Sequence, residues 1–148
     1  MRQITVTESL FVAASPERVW DLTQDYRRRS QWDANVLSAE VLPGAGPPRV
    51  RLRLRGGVAC VFQYKVFERP LRTSLAMTDV VSPVLAGGGG AWTYAAQDGG
   101  TLWTQTNTLV FKNALLGLCF GALARWQLRR GTRTAMRAAQ RLLAAGGA

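Results

Sequence analysis

The sequence predicts an α+β domain in which a curved antiparallel sheet wraps around one long C-terminal helix. Alternating polar and apolar residues, typical of strands, fill most of the chain before residue 113. Dipeptides that favour tight turns separate these runs, and Gly56-Gly57 and Asp98-Gly99 are the clearest of them. A helical apolar periodicity then continues from Asn113 to about Ala144. The length of 148 residues suits a single domain, 1–148, with a core of its own.

The first elements are a strand and two short helices. Gln3 to Ala13 alternates and predicts the first strand. Ser15-Pro16-Glu17 then begins a helix, because Ser15 can cap it and proline is tolerated in the first helical turn. A second short helix or turn is predicted from Asp25 to Trp32. Its three consecutive arginines, Arg27 to Arg29, are interpreted as a solvated basic corner.

Four further runs predict strands in the middle of the chain. They are Val36 to Leu42, Arg49 to Arg55, Val58 to Arg69 and Arg72 to Val80. If Gly56-Gly57 is a two-residue turn, Val50 pairs with Gln63, and Gln63 and Lys65 share a face with the leucines of the preceding strand. Because arginines are costly to desolvate, the leucine face is taken as inward. Gln63 and Lys65 are therefore predicted to point into the interior.

The opposite face of these strands is then predicted to lie on the outside. It carries an apolar row that permits a homodimer. Its members are Cys60, Phe62, Tyr64, Leu75 and Met77.

The hairpin from Ala91 to Lys112 is the strongest signal in the chain, and Gly87 to Gly90 is interpreted as a mobile connection into it. A turn at Asp98-Gly99 pairs Tyr94 with Trp103 and puts large aromatic rings and side-chain amides on one face. That face holds Trp92, Tyr94, Trp103, Gln105, Asn107 and Leu109. Such a mixture suits an organic-ligand cavity, and it is equally compatible with a core whose amides are satisfied.

The terminal helix carries an apolar stripe that is predicted to lie on the sheet, beside a row of arginines from Arg125 to Arg141 at every fourth position. The element order is thus a strand, two short helices, six strands and one long helix. This is the layout of a helix-grip fold, with a seven-stranded antiparallel sheet and a cavity between sheet and helix.

The composition excludes several classes of function. Histidine is absent, which removes Ser-His and Cys-His nucleophile pairs and the commonest metal ligand, so no metal site is expected. Cys60 and Cys119 lie in apolar segments and are interpreted as buried free thiols. The net charge of +10 favours an acidic partner, but no nucleic-acid-reading motif accompanies it.

The location predicted from the sequence is the cytoplasm. Residues 1–8 show no apolar block typical of a signal peptide. The longest apolar run, 114–124, is too short to cross a bilayer, so stable membrane insertion is not expected.

Three motifs together resemble the START-like (SRPBCC) superfamily. The segment Val-Trp-Asp-Leu-Thr-Gln-Asp at 19–25, followed by Trp32, resembles its first helix pair. The hairpin from Trp92 to Thr101, with Pro83 upstream, is similar to the polyketide aromatase/cyclase branch, of which the tetracenomycin aromatase/cyclase is the type. The segment 132–143 resembles the final helix of that branch.

This resemblance implies binding of a carrier-tethered poly-β-ketone and its aldol cyclisation and dehydration, without metal or cofactor. An acidic acyl carrier protein is the implied partner. The inward arginine of the branch matches Lys65 here, which would polarise a ketone, and Tyr94 would relay a proton. The implied substrate-binding residues are Trp32, Gln63, Trp92, Trp103, Gln105 and Asn107. The alternative is a non-catalytic protein that carries a lipid or another hydrophobic small molecule in the same cavity.

Overall fold

A computed structural model describes residues 2–146, and within them seven strands precede a long terminal helix. The elements are β1 (Gln3–Val12), α1 (Pro16–Thr23), β2 (Val36–Val41), β3 (Arg49–Leu54), β4 (Val58–Glu68), β5 (Arg72–Val81), β6 (Leu85–Gln97), β7 (Gly100–Phe111) and α2 (Ala114–Gly146). Helix α1 begins as predicted, because the Ser15 side chain accepts a hydrogen bond from the Arg18 backbone N–H. The second short helix is a single 3-10 turn, Arg29–Gln31.

The strands form one antiparallel sheet in the order β1-β7-β6-β5-β4-β3-β2. Consecutive strands are neighbours except β1, which crosses to pair with β7. The predicted α+β helix-grip architecture is therefore confirmed.

The β6–β7 hairpin has the predicted register. Tyr94 pairs with Trp103 and Trp92 with Gln105, and Gly99 takes a φ of +83° in the turn. On the outer face, hydroxyls of β1 and β7 contact each other across the strands, as in the 3.0 Å contact between Thr5 and Thr108. The other side of these strands is left to face the helix.

The turn between β3 and β4 differs from the prediction, and the difference reverses a face of the sheet. Leu54 pairs with Val58, so the turn holds three residues, Arg55, Gly56 and Gly57, instead of two. An odd number of turn residues moves every side chain of the second strand to the other face. Phe62 now lies opposite Val50 and points inward with it.

Two further predictions about these strands are consequently wrong. Gln63 and Lys65 do not share the inward face. The apolar row that included Cys60 and Tyr64 is inside the molecule, so it offers no surface for a homodimer.

The glycines of 87–90 also differ from the prediction, because they lie within β6 and pair with β7. A Cβ added at Gly88 would lie 2.7 Å from the sulfur of Met77, and one at Gly90 would lie 3.0 Å from Asn107 Oδ1. Both positions therefore face inward, where the missing side chains leave room on the concave side of the sheet.

Helix α2 packs on the sheet mainly through its second half. There Ala135, Met136 and Ala139 join a core with Trp20 and Trp103. In the first half, the fully buried positions are two glycines, Gly117 and Gly121. Large side chains predicted to lie on the sheet, such as Phe120 and Leu123, are exposed. Within residues 2–146, neither helix has the length and apolar character that a membrane span requires.

Candidate functional site

A cavity of about 470 Å³ lies between the concave face of the sheet and the first half of α2. Its walls are largely apolar: Phe62, Leu75 and Met77 contribute from the sheet, and Phe120 and Leu123 contribute from the helix. The volume is in the range of small-molecule sites in proteins. The arrangement suits an organic ligand with a hydrophobic body.

One part of the cavity wall is polar and carries hydrogen-bond donors without partners. Trp92 Nε1 donates to Asn107 Oδ1 at 3.0 Å, and Asn107 Nδ2 donates to Gln105 Oε1 at 2.9 Å and to Thr132 Oγ1 at 3.3 Å. This leaves Gln105 Nε2 buried without a partner, and Trp32 Nε1 and Trp103 Nε1 are in the same state. Gln105 and Trp32 line the cavity, whereas Trp103 does not. Because buried donors are normally satisfied, the two donors on lining residues favour a ligand that brings an acceptor oxygen.

Arg29 lies beside this polar wall, and sequence reasoning missed it. Arg29 is only 4% exposed and lines the cavity. The guanidinium lies 4.9 Å from the ring centre of Tyr26, 4.7 Å from Trp32 and 4.8 Å from Trp92. It donates to Asp33 Oδ2 at 3.3 Å and to the carbonyl of Thr23 at 3.2 Å. The cation is thus held by aromatic faces as well as by oxygens.

The charge on Arg29 persists in spite of its burial. Desolvation works against the cation, but Tyr26 and Asp33 more than offset it, so the pKa of Arg29 lies above its ordinary value. The solvated corner predicted for Arg27 to Arg29 is therefore wrong for Arg29, while Arg27 and Arg28 are exposed. A sequence signal for this did exist, since Tyr26 and Trp32 flank Arg29 at a spacing of three residues, one helical turn.

Tyr94 and Trp103 do not line the cavity, although both were predicted to. Tyr94 stacks on Trp103 with ring centres 6.3 Å apart and planes inclined by 10°. Its hydroxyl contacts Thr23 Oγ1 at 2.7 Å and accepts a hydrogen bond from Gln24 Nε2 at 2.7 Å. Burial raises the pKa of Tyr94, so the phenol stays neutral. Both rings belong to the packed core behind the cavity.

Lys65 and Gln63 also lie outside the cavity. Lys65 is exposed at a register shift between β4 and β5, where Tyr64 pairs with Leu75 and Val66 pairs with Ser74. Gln63 is half-buried, and its Nε2 donates to the carbonyl of Tyr64 at 3.4 Å. The three-residue turn before β4 and the bulge at Lys65 together explain why the alternation pattern predicted the wrong face for both side chains.

Tyr64 occupies the inward position instead. Its hydroxyl donates to Gln24 Oε1 at 2.8 Å and contacts the hydroxyl of Tyr26 at 2.6 Å. Burial, with Tyr26 adding to it, raises the pKa of Tyr64 well above its ordinary value. Of the residues predicted for the site, the structure brings Trp32, Trp92, Gln105 and Asn107 together at the cavity.

Comparison with known proteins identifies the family. Residues 3–144 match the model of the family described as polyketide cyclase/dehydrase and lipid transport. The chain belongs to this family. None of the curated proteins compared with it matches it.

Solved structures agree with the fold of this polyketide cyclase/dehydrase family member. TTHA0849 from Thermus thermophilus superposes with a TM-score of 0.82 at 19% identity, over 98% of this chain and 100% of that one. The Zhui aromatase/cyclase from Streptomyces sp. R1128 gives a TM-score of 0.76 at 17% identity, over 95% and 93% of the two chains. The di-domain ARO/CYC StfQ of the steffimycin biosynthetic pathway gives 0.76 at 14%, over 99% of this chain and 52% of that one. The family match thus confirms the predicted resemblance to polyketide cyclases, and these structures confirm the fold.

Proposed function

We propose that this chain binds a poly-β-ketone or aromatic intermediate in the cavity and promotes its aldol cyclisation and dehydration. The observation that supports this best is the pairing of a buried guanidinium, Arg29, with two unpartnered donors, Trp32 Nε1 and Gln105 Nε2, in a largely apolar cavity. A ligand rich in carbonyl oxygens satisfies these donors, while the apolar walls contact its carbon chain.

The same groups suit the charge that develops during an aldol reaction. Loss of a proton from a carbon between two carbonyls puts negative charge on oxygen, which Arg29 and Gln105 would stabilise. Asp33, the carboxylate among the lining residues, would accept that proton. The enolate carbon then bonds to a second carbonyl carbon, whose oxygen would take the proton back from Asp33 and become a hydroxyl. Dehydration breaks that C–O bond and a C–H bond on the neighbouring ring carbon, so that a double bond forms and the hydroxyl leaves with the second proton as water. The catalytic roles predicted for Lys65 and Tyr94 have no support in this geometry, because neither lines the cavity.

A turnover assay with a matched control tests this proposal. A poly-β-ketone thioester surrogate is incubated with the wild type, Gln105→Leu and Lys65→Met, and the aromatic product is quantified. Losing one oxyanion donor costs on the order of a hundredfold in rate, so Gln105→Leu is expected to lose most of the activity. Lys65→Met is expected to keep it, because Lys65 is exposed and does not line the cavity. No acceleration by the wild type, or equal rates in Gln105→Leu and the wild type, would contradict the proposal.

The second candidate is a non-catalytic carrier of a lipid or another hydrophobic molecule. It is favoured by the apolar walls and by the existing engagement of Asp33, which already accepts from Arg29 and from the Asn35 backbone N–H. Native mass spectrometry of freshly purified protein distinguishes the two candidates. A co-purifying lipid together with no turnover of the surrogate would assign the carrier role.

An acidic acyl carrier protein remains the proposed partner for the enzyme. Arg27 and Arg28 support this, because both are exposed on the turn that holds Arg29 at the cavity. Weaker binding of carrier protein by Arg27→Ala/Arg28→Ala, measured by titration calorimetry, is the expected result. Cys60 is a buried free thiol as predicted, whereas Cys119 is a free thiol but exposed, so the prediction of burial is wrong for it. We also propose a cytoplasmic location, which the two free thiols support.

A further inference from the structure

The first half of α2 exposes an apolar face that the fold leaves uncovered. The side chains concerned, called the helix face below, are Leu115, Leu118, Phe120, Leu123 and Trp126, and at about 100° per residue they extend around roughly 200° of the helix. These five are nearly half of the eleven large apolar side chains exposed within residues 2–146, although they occupy a segment of only twelve residues. Single exposed apolar residues are ordinary on protein surfaces, whereas a concentration of this kind marks an interaction surface.

The charge around the helix face has one sign. From Ala114 to Gly146 the helix contains six arginines and no acidic residue. Arg130 places its guanidinium 5.3 Å from the centre of the Trp126 ring, at the margin of the helix face. Arg129 and Arg133 are both paired with Glu8 of β1, and Arg125 donates to the Thr5 carbonyl, so three of the helix arginines are engaged on the sheet side. The surface beside the apolar side chains is therefore cationic.

The helix face is continuous with the opening of the cavity. Phe120 and Leu123 belong to both, being exposed and also lining the cavity. On the opposite side, the exposed lining residues include Arg55 and Gly56 of the β3–β4 turn. Whatever covers the helix face consequently covers the route into the cavity.

We propose that the helix face docks on an anionic lipid bilayer, with the cavity opening toward the lipid. An amphipathic helix binds an interface in this way, with leucine and tryptophan in the boundary between headgroups and acyl chains and arginines among the anionic headgroups. A second copy of the chain would satisfy the apolar side chains but would bring two rows of arginine together. An acidic protein would satisfy the arginines but would still have to supply an apolar surface of its own. An anionic bilayer provides both an apolar region for the leucine and tryptophan side chains and negative charge for the arginines.

This surface also corrects part of the prediction that the apolar stripe of α2 lies on the sheet. The stripe is engaged from Thr132 onward, where the core residues Ala135 and Ala139 lie. Before that point Leu116 and Leu128 pack against a cluster with Ile4, Leu85 and Phe111. Phe120 and Leu123 are exposed instead and are free for a peripheral contact, which requires no membrane-spanning segment.

Vesicle co-sedimentation tests the proposal. The wild type is mixed with vesicles of phosphatidylcholine and phosphatidylglycerol, or of phosphatidylcholine alone, at low and high salt. The helix-face variant is Leu118→Ser/Trp126→Ser, at positions 76% and 56% exposed. The control is Leu37→Ser/Val41→Ser on β2, at positions 54% and 56% exposed and away from the helix. Circular dichroism establishes that every variant is folded.

We expect the wild type and the control to sediment with the anionic vesicles and to be released by salt. The helix-face variant is expected to partition at least about tenfold more weakly, because each leucine-sized side chain withdrawn from lipid costs roughly that factor. Absence of wild-type binding, equal binding of neutral vesicles, or equal loss in the control would overturn the proposal. So would a dimer, or a complex with an acidic protein in the absence of vesicles, that the helix-face variant abolishes.

Discussion

Replacing Arg29 with methionine tests the structural role of the buried guanidinium. The change removes a hydrogen bond to Asp33 and one to the Thr23 carbonyl, and it removes the cation from three aromatic faces. Breaking a buried ion pair costs about 3 to 5 kcal/mol, because one charge remains without its partner. The Asp33 side chain is 18% exposed and keeps some hydration, and methionine packs well on aromatic rings. We therefore expect the low end, a loss of about 3 kcal/mol in the free energy of unfolding.

Chemical denaturation followed by circular dichroism measures this loss, and Arg27→Met is the matched control. The Arg27 side chain is 89% exposed and pairs with Asp25 at the surface, so its replacement is expected to change the free energy by less than about 0.5 kcal/mol. Adding Asp33→Asn to Arg29→Met removes the orphaned charge and is expected to restore about 1 kcal/mol. If Arg29→Met and Arg27→Met were equally stable, the inference of a buried, paired cation would be wrong.

Three further predictions concern single side chains. Gly131→Ala is expected to raise the free energy of unfolding by about 0.5 to 1 kcal/mol, because the position is helical and a Cβ there meets nothing within 4 Å; a loss in urea denaturation would contradict this. Tyr94→Phe is expected to lower the free energy of unfolding by about 2 kcal/mol, because it removes the hydroxyl that contacts Thr23 and Gln24. Ligand affinity is expected to stay unchanged, and a change of affinity in fluorescence titration would show that Tyr94 reaches the ligand. Burial raises the pKa of the Cys60 thiol from 9.0 to about 11, so the unfolded chain loses its thiol proton first and stability falls as pH rises above 9. In Cys60→Ala, the fall in the free energy of unfolding above pH 9 is expected to be smaller by about 2 to 3 kcal/mol. The same pH profile of stability in Cys60→Ala and the wild type would show that the Cys60 thiol does not cause this fall.

The parts of the fold that sequence reasoning predicted well are those with strong local signals. The Asp98-Gly99 turn has a defined length, so the register of β6 with β7 and the neighbourhood of Trp92, Gln105 and Asn107 followed from it. Helix α1 followed from the Ser15 cap and the proline after it. In each case a few adjacent residues determine the geometry.

The errors arose where geometry depends on contacts distant in sequence. Gly56-Gly57 permits a tight turn without setting its length, and Arg55 enters it as a third residue. The bulge near Lys65 leaves no trace in the alternation pattern. The burial of Arg29 depends on Trp92, which lies more than sixty residues away and arrives only when the sheet has formed. The number of residues in a turn and the burial of a side chain by distant parts of the chain thus could not be predicted from the local sequence pattern.

The amide of Gln24 imposes a direction on the hydroxyls around it. Its oxygen can only accept from Tyr64, and its nitrogen can only donate to Tyr94. Tyr64 has therefore committed its single proton to Gln24, and Tyr26 must donate to it. The residues that bond the Tyr64 hydroxyl, Gln24 and Tyr26, do not line the cavity. The hydrogen bonds therefore run in one direction, from Tyr26 through Tyr64 to the Gln24 oxygen and from the Gln24 nitrogen to Tyr94, and they fix the side chains behind the cavity without leaving a free hydroxyl proton on Tyr64.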